Sequence, residues 1–216
     1  MRGGITINTI DVFSGNRCAL IVIDVQNDFC DPNGLCSLEG KNIKQIDPMV
    51  SNIKKCIESA HSRNIPVIFI RTEHNAIVDS TAWIYRHRKN TSYNPNTTKC
   101  KTGTWGADFY EIAPQEQDIV ITKNKYSAFA GTNLHMILQS LKRDSLIFTG
   151  LETNVCVEST LRDAISYDYH VTLVEDGTSA PSVEEHESAV RNVRTKFGGV
   201  LKTDELIKTW NVPQSL

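Results

Sequence analysis

Cys156, Asp24 and Lys123 are the residues whose chemistry stands out, although they lie far apart in the chain. Cys156 sits between two valines in TNVCVEST (153–160). A free thiol with a pKa of about 8.5 is mostly protonated at neutral pH, while the thiolate is the reactive form; a neighbouring cation and a helix N-terminus both lower that pKa. The octapeptide follows the strand-like run 145–149 and Gly150, and it reads as a first helical turn. Thr153 or Asn154 fits the N-cap and Glu158 falls early in the helix, so the first-turn N–H groups would point toward the sulfur. Lys123 would supply the cation, and Asp24 would hold that ammonium while accepting the thiol proton. Backbone N–H groups of Glu152 and Cys156 would take the oxygen that becomes negative during attack. The set has the form of a nucleophile, a base and an orienting cation.

Each residue alone has a blander reading. A cysteine between valines is more often a small core residue, Asp24 could cap a turn, and a lysine such as Lys123 usually ends a strand in solvent. What separates the two readings is where the elements place them.

Five short runs are rich in Val, Ile and Leu: 18–24, 66–71, 118–123, 145–150 and 170–176, with 198–203 as a possible sixth. They are nearly continuous in apolar residues, as strands buried on both faces of a parallel sheet are. Between them lie sets at helical spacing: Val50, Ile53, Ile57 and Ala60; Leu134, Ile137 and Leu141; Val157, Leu161, Ala164 and Ile165; Val183, Val190, Val193 and Phe197. The alternation predicts a three-layer α/β/α sandwich around a mostly parallel, Rossmann-like doubly wound sheet of about six strands. Ligands in such sheets bind outside the carboxyl ends of the strands. Asp24 and Lys123 close two runs there, and Cys156 follows a third.

The segment 72–117 breaks the rhythm. Its length, with Trp83, Tyr85, Tyr93, Trp105 and Tyr110, marks a binding loop or lid inserted in one domain spanning 1–216. At 216 residues a single core is the natural expectation.

A net charge of −2 with one short basic cluster, RHRKN (86–90), gives no footing for nucleic-acid binding. No apolar run reaches the ~20 residues of a membrane helix, and MRGGITINTI has no signal-peptide core, so no membrane partner and a cytoplasmic location are expected. The six cysteines form no C-x-x-C pair and no zinc-binding spacing, so free thiols are expected. A redox thiol cycle would need Cys30 or Cys36 to approach Cys156 in space. A silent interaction module on the same scaffold is the other alternative.

ALIVIDVQNDF (19–29), DIVITKNKYSAFAGTNL (118–134), FTGLETNVCVESTLRDA (148–164) and HVTLVEDGTSA (170–180) together resemble the isochorismatase-like cysteine hydrolases. The resemblance covers nearly the whole chain. It implies that Asp24, Lys123 and Cys156 are the catalytic set, that Glu152 and Cys156 give the oxyanion donors, and that the Leu151–Glu152 peptide is cis. It also implies a homo-oligomer, dimer or tetramer.

Metal-dependent nicotinamidases of that family carry an Asp-Trp-His-Pro type segment where this chain has RTEHNAI (71–77), so no catalytic metal and no cofactor are expected. Isochorismatases acting on an enol ether generally lack the cysteine, so Cys156 implies attack on an amide or ureide C–N bond, with a small molecule and water as the partners. TNVCVESTLRDA and GTWGADFYEIAPQEQDIV are most similar to ureidoacrylate amidohydrolases; biuret and N-carbamoyl amino acids are neighbouring substrates. A substrate carboxylate would need donors, for which Asn27, His74, Tyr126, Arg71 and the basic cluster are available. Trp83 is read as pocket lining.

Overall fold

The computed structural model describes residues 12, 13, 15–86 and 98–211. Six strands, β1 (Cys18–Ile23), β2 (Val67–Thr72), β3 (Ile119–Lys123), β4 (Ser145–Leu151), β5 (His170–Ser179) and β6 (Gly199–Leu201), form one sheet. All neighbours are parallel, in the order β3-β2-β1-β4-β5-β6. The order reverses between β1 and β4, which opens a crevice at their carboxyl ends.

The helices are α1 (Asn27–Cys30), α2 (Leu35–Leu38), α3 (Ile46–His61), α4 (Thr81–Ile84), α5 (Leu134–Ser140), α6 (Glu158–Ser166), α7 (Val183–Asn192) and α8 (Thr203–Trp210). Alternate residues of β1 feed opposite cores. Cys18, Leu20 and Val22 pack with Ile53 and Ile57 of α3 and Leu206 of α8. Ala19, Ile21 and Ile23 pack with Leu138 of α5, Leu161 of α6 and Val190 of α7. The result is the three-layer α/β/α sandwich with a Rossmann-like, wholly parallel sheet.

Local chemistry explains the principal helices. Pro48 falls in the first turn of α3, where a missing N–H costs nothing, and Asn64 at φ 55° ends the chain's helical path just beyond it. A reciprocal capping box starts α7: Ser182 Oγ accepts the Glu185 N–H at 3.1 Å, and the Glu185 carboxylate accepts the Ser182 N–H at 3.2 Å.

Three details differ from the sequence reading. The run 118–123 is not buried on both faces: β3 is an edge strand, and Val120 is 41% exposed. Val183 is 58% exposed at the start of α7, and the buried stripe there begins only at Ala189 and Val190. The segment 72–117 is more than a loop, because Phe109 bridges to Gln26 while Tyr110 and Ile112 enter the core. Residues 87–97, with Tyr93 and most of RHRKN, lie outside the described residues, as does MRGGITINTI. Among the described residues no helix is long and apolar enough to cross a membrane.

Candidate active site

Asp24 follows β1 directly and takes a left-handed backbone (φ 55°), which short polar residues tolerate better than most. Its N–H still donates to Ile70 O at 2.9 Å, so the sheet holds the backbone up to the turn. Opposite Ile23 stands Gly150, with φ 106°. A Cβ on Gly150 would lie 2.0 Å from Ile23 O, so only glycine permits this approach of β4 to β1. Lys123 is the last residue of β3 and pairs with Thr72 of β2.

These strand ends bring the three sequence-predicted residues together. Lys123 Nζ lies 2.7 Å from Asp24 Oδ2, with both side chains 1% exposed. The same ammonium donates to Cys156 Sγ at 3.4 Å. The Asp24–Lys123 approach is a charge contact rather than an aligned hydrogen bond, since neither Asp24 oxygen has a hydrogen-bond partner among the described residues. Oδ1 is therefore a buried acceptor open to a proton.

Burial opposes the Lys123 charge, but the Asp24 carboxylate outweighs it and holds the ammonium above the ordinary lysine range. For Cys156, burial pushes the thiol up, Asp24 pushes the same way, and Lys123 pulls down without prevailing. This corrects the expectation of a cation-lowered thiolate. Burial and the Asp24 charge together outweigh the pull of Lys123, so the thiol rests protonated. All six cysteines are free, and Cys156 alone is not fully buried. Burial also lifts Cys18 and Cys36 to about 11 and Cys56 to about 12.

The turn that carries Cys156 differs from an ordinary helix start. The Leu151–Glu152 peptide is cis, and Thr153–Val157 wind as a π-helical turn before α6. Neither Thr153 nor Asn154 caps it. Thr153 Oγ1 meets His186 Nδ1 at 3.0 Å, Asn154 Oδ1 has no partner among the described residues, and Glu152 O receives the Val155 and Val157 N–H groups. Burial keeps the His186 pKa below its usual value. Thr160 Oγ1 donates to Cys156 O at 2.7 Å and accepts the Ala128 N–H at 3.0 Å, tying the 126–129 segment to the turn.

A cavity of about 520 Å³ opens onto Asp24, Lys123 and Cys156. His74, Trp83 and Tyr126 line it. Trp83 stacks on His74 (centroids 5.7 Å, 21°) and leans on Tyr126 (4.7 Å), while His74 Nδ1 contacts Asp79 Oδ1 at 2.7 Å. Asn27 is not on the wall: its amide donates to Trp105 O at 2.8 Å, so it braces a loop instead of facing substrate. Arg71 is also absent from the wall and pairs with Glu73 at 3.0 Å.

Several wall residues carried no sequence signal. Lys41 and Glu152 pair at 2.8 Å, and Lys99 pairs with Glu39; isolated loop lysines have no periodicity that would reveal them. Gln26 had been visible in VQNDF without a role. Fully buried, it donates to Thr72 O and Ala107 O and accepts the Thr72 N–H, clamping β2 to the 98–112 segment. Among the described residues no group of three or more His, Cys, Asp or Glu side chains is placed to hold a metal ion.

Residues 18–205 match the family described as Isochorismatase domain. The chain is similar to ureidoacrylate amidohydrolase RutB of Pantoea ananatis, 35% identical over 203 residues that cover 87% of this chain and 80% of that protein. Among solved structures it is similar to a cysteine hydrolase from Pseudomonas syringae pv. phaseolicola, with TM-score 0.80 and 26% identity over 91% of this chain and 93% of that one. It is also similar to N-carbamoylsarcosine amidase from Thermoplasma acidophilum, with TM-score 0.70 and 26% identity over 87% and 97% of the two chains.

Proposed function

The chain belongs to the isochorismatase domain family, and on that footing we propose that it is a cysteine amidohydrolase cleaving the C–N bond of a small ureide or amide, with a ureidoacrylate-like compound the favoured substrate. The observation that carries this reading is the buried run of contacts from Asp24 through Lys123 to Cys156 at 2.7 and 3.4 Å, opening on one cavity. The likeness to a ureidoacrylate amidohydrolase supports the substrate, and the likeness to an N-carbamoylsarcosine amidase supports N-carbamoyl amino acids as the second class.

In the proposed reaction Asp24 takes the Cys156 proton as the sulfur attacks the carbonyl carbon. The C=O π pair moves to oxygen, where the backbone N–H groups of Glu152 and Cys156 receive it. Collapse expels the nitrogen, which takes the proton from Asp24, and a thioester-type intermediate remains on Cys156. Water then gives a proton to Asp24 and its oxygen to the carbonyl, the C–S bond breaks, and the thiol regains its proton. From a ureido group the final carbamate decomposes to ammonia and carbon dioxide. Lys123 stays protonated throughout, orienting Asp24 and offsetting charge on sulfur. The six free thiols suit a cytoplasmic enzyme, and a dimer or tetramer is the assembly we assign.

An ammonia-release screen over ureidoacrylate, biuret, N-carbamoyl amino acids and nicotinamide tests the substrate class. Highest kcat/KM for a ureide is expected; preference for nicotinamide, or no release from any ureide, contradicts it.

A further inference from the structure

Among the described residues, every carboxylate on the cavity wall already has a basic partner. Asp24 faces Lys123, Glu39 faces Lys99, Glu152 faces Lys41 and Asp79 faces His74. Two of the described wall cations remain, Arg86 and Lys125, and neither is paired with a carboxylate among the described residues. Both converge on one aromatic ring. The Arg86 guanidinium carbon lies 4.1 Å and the Lys125 ammonium 4.9 Å from the Trp83 centroid. Arg86 is held in place, since Nε donates to Tyr126 Oη at 2.8 Å and Nη1 to Trp83 O at 2.6 Å, which leaves Nη2 without a partner among the described residues. Among the described residues, Lys125 donates only to the carbonyls of Val78 and Asn124, at 3.4 and 3.1 Å. Neutral acceptors of this kind leave a cation's charge uncompensated.

We propose that Arg86 and Lys125 form a carboxylate-binding subsite against Trp83, so that the molecule turned over at Cys156 is an anionic ureide or amide. This rests on the reading of Cys156 as the nucleophile of a ureide hydrolase. The chemistry is direct: an oriented guanidinium and an ammonium beside it supply charged donors to a carboxylate. Biuret and nicotinamide, being neutral, would gain nothing from the surplus charge.

The test compares two probes of nearly equal shape, 3-ureidopropionate and propylurea, binding to full-length Cys156→Ala protein by titration calorimetry. The acid is expected to bind about tenfold tighter or more, with the advantage shrinking as salt rises. Adding Arg86→Gln and Lys125→Met should abolish that advantage and leave propylurea unchanged, while Lys125→Arg alone should keep it. Equal binding of the two probes, failure of the acid to bind, or a preference that survives the double substitution overturns the subsite. Turnover is read separately on protein with Cys156 intact. A calorimetric preference without hydrolysis of any ureide defeats the hydrolase reading alone, and hydrolysis without the preference defeats the subsite alone.

Discussion

Lys123 and Asp24 form an ion pair at 2.7 Å in which both side chains are almost wholly withdrawn from water. Because Lys123 also touches Cys156 Sγ, the charge on Asp24 decides how much of the ammonium's field reaches the sulfur.

Asp24→Asn therefore has opposite effects on two measurements. Removing the carboxylate eliminates a charge that raises the thiol pKa and frees Lys123 to stabilise a thiolate. Cys156 should be alkylated faster by iodoacetamide at neutral pH, yet turnover should fall by about a thousandfold or more, as loss of a general acid–base group commonly costs. Slower alkylation, or turnover within tenfold of the parent, would show that Asp24 does not govern the thiol proton.

Gly150→Ala tests the backbone approach that sets the site's spacing. The new methyl meets Ile23 O at 2.0 Å, at a φ that L-residues rarely adopt. The loss should be on the order of 3 kcal/mol, read as the chemical denaturation midpoint at unchanged slope. A variant with parental stability and activity would mean that β1 and β4 can separate without harm.

Much of this arrangement was legible in sequence because it depends on period and on strand ends. The apolar runs located the buried central strands β1 and β4; Asp24 and Lys123 stood at the ends of two runs, and Cys156 followed a third. Other features depend on partners in space, which one-dimensional spacing does not carry. Whether β3 lies at an edge depends on which strand it joins, so the exposure of Val120 was invisible. Thr153 has the chemistry of an N-cap, but His186, brought alongside from α7, takes its hydroxyl. Asn27 is polar and sits near Asp24, yet its amide is claimed by Trp105 O. Lys41 and Glu152 pair across the cavity wall with no sequence relation at all.

Thr160→Val probes the brace between the Cys156 turn and the 126–129 segment. The substitution keeps the shape and removes both the donation to Cys156 O and the acceptor for the buried Ala128 N–H. An unsatisfied buried donor costs about 1–3 kcal/mol. Thermal unfolding should register that loss, and kcat should fall more than KM rises. Unchanged melting and kinetics would show that this brace is dispensable.

His186 gives the fold part of its acid sensitivity. Burial lowers its pKa in the folded state, partly countered by Glu175 and Glu187. Well above pH 6.5 it is neutral whether folded or not and adds no slope. As pH falls below 6.5 the unfolded chain takes the proton first, so stability declines until the folded-state pKa is passed. His186→Gln, which retains a hydrogen-bonding group near Thr153, should make the decline of unfolding free energy below pH 6.5 shallower. An identical pH profile would indicate that His186 keeps its ordinary affinity for protons.

In the proposed mechanism Cys156 becomes covalently joined to the carbonyl carbon. Intact-mass and peptide spectrometry of protein acid-quenched during turnover of a ureide found active in the ammonia screen tests it, with Cys156→Ala beside it. An acyl or carbamoyl adduct is expected, confined to the peptide bearing Cys156 and absent from the Cys156→Ala protein, whose ammonia release should fall at least about a thousandfold. Ammonia release by Cys156→Ala within tenfold of the parent, with no adduct on the parent enzyme, would contradict it.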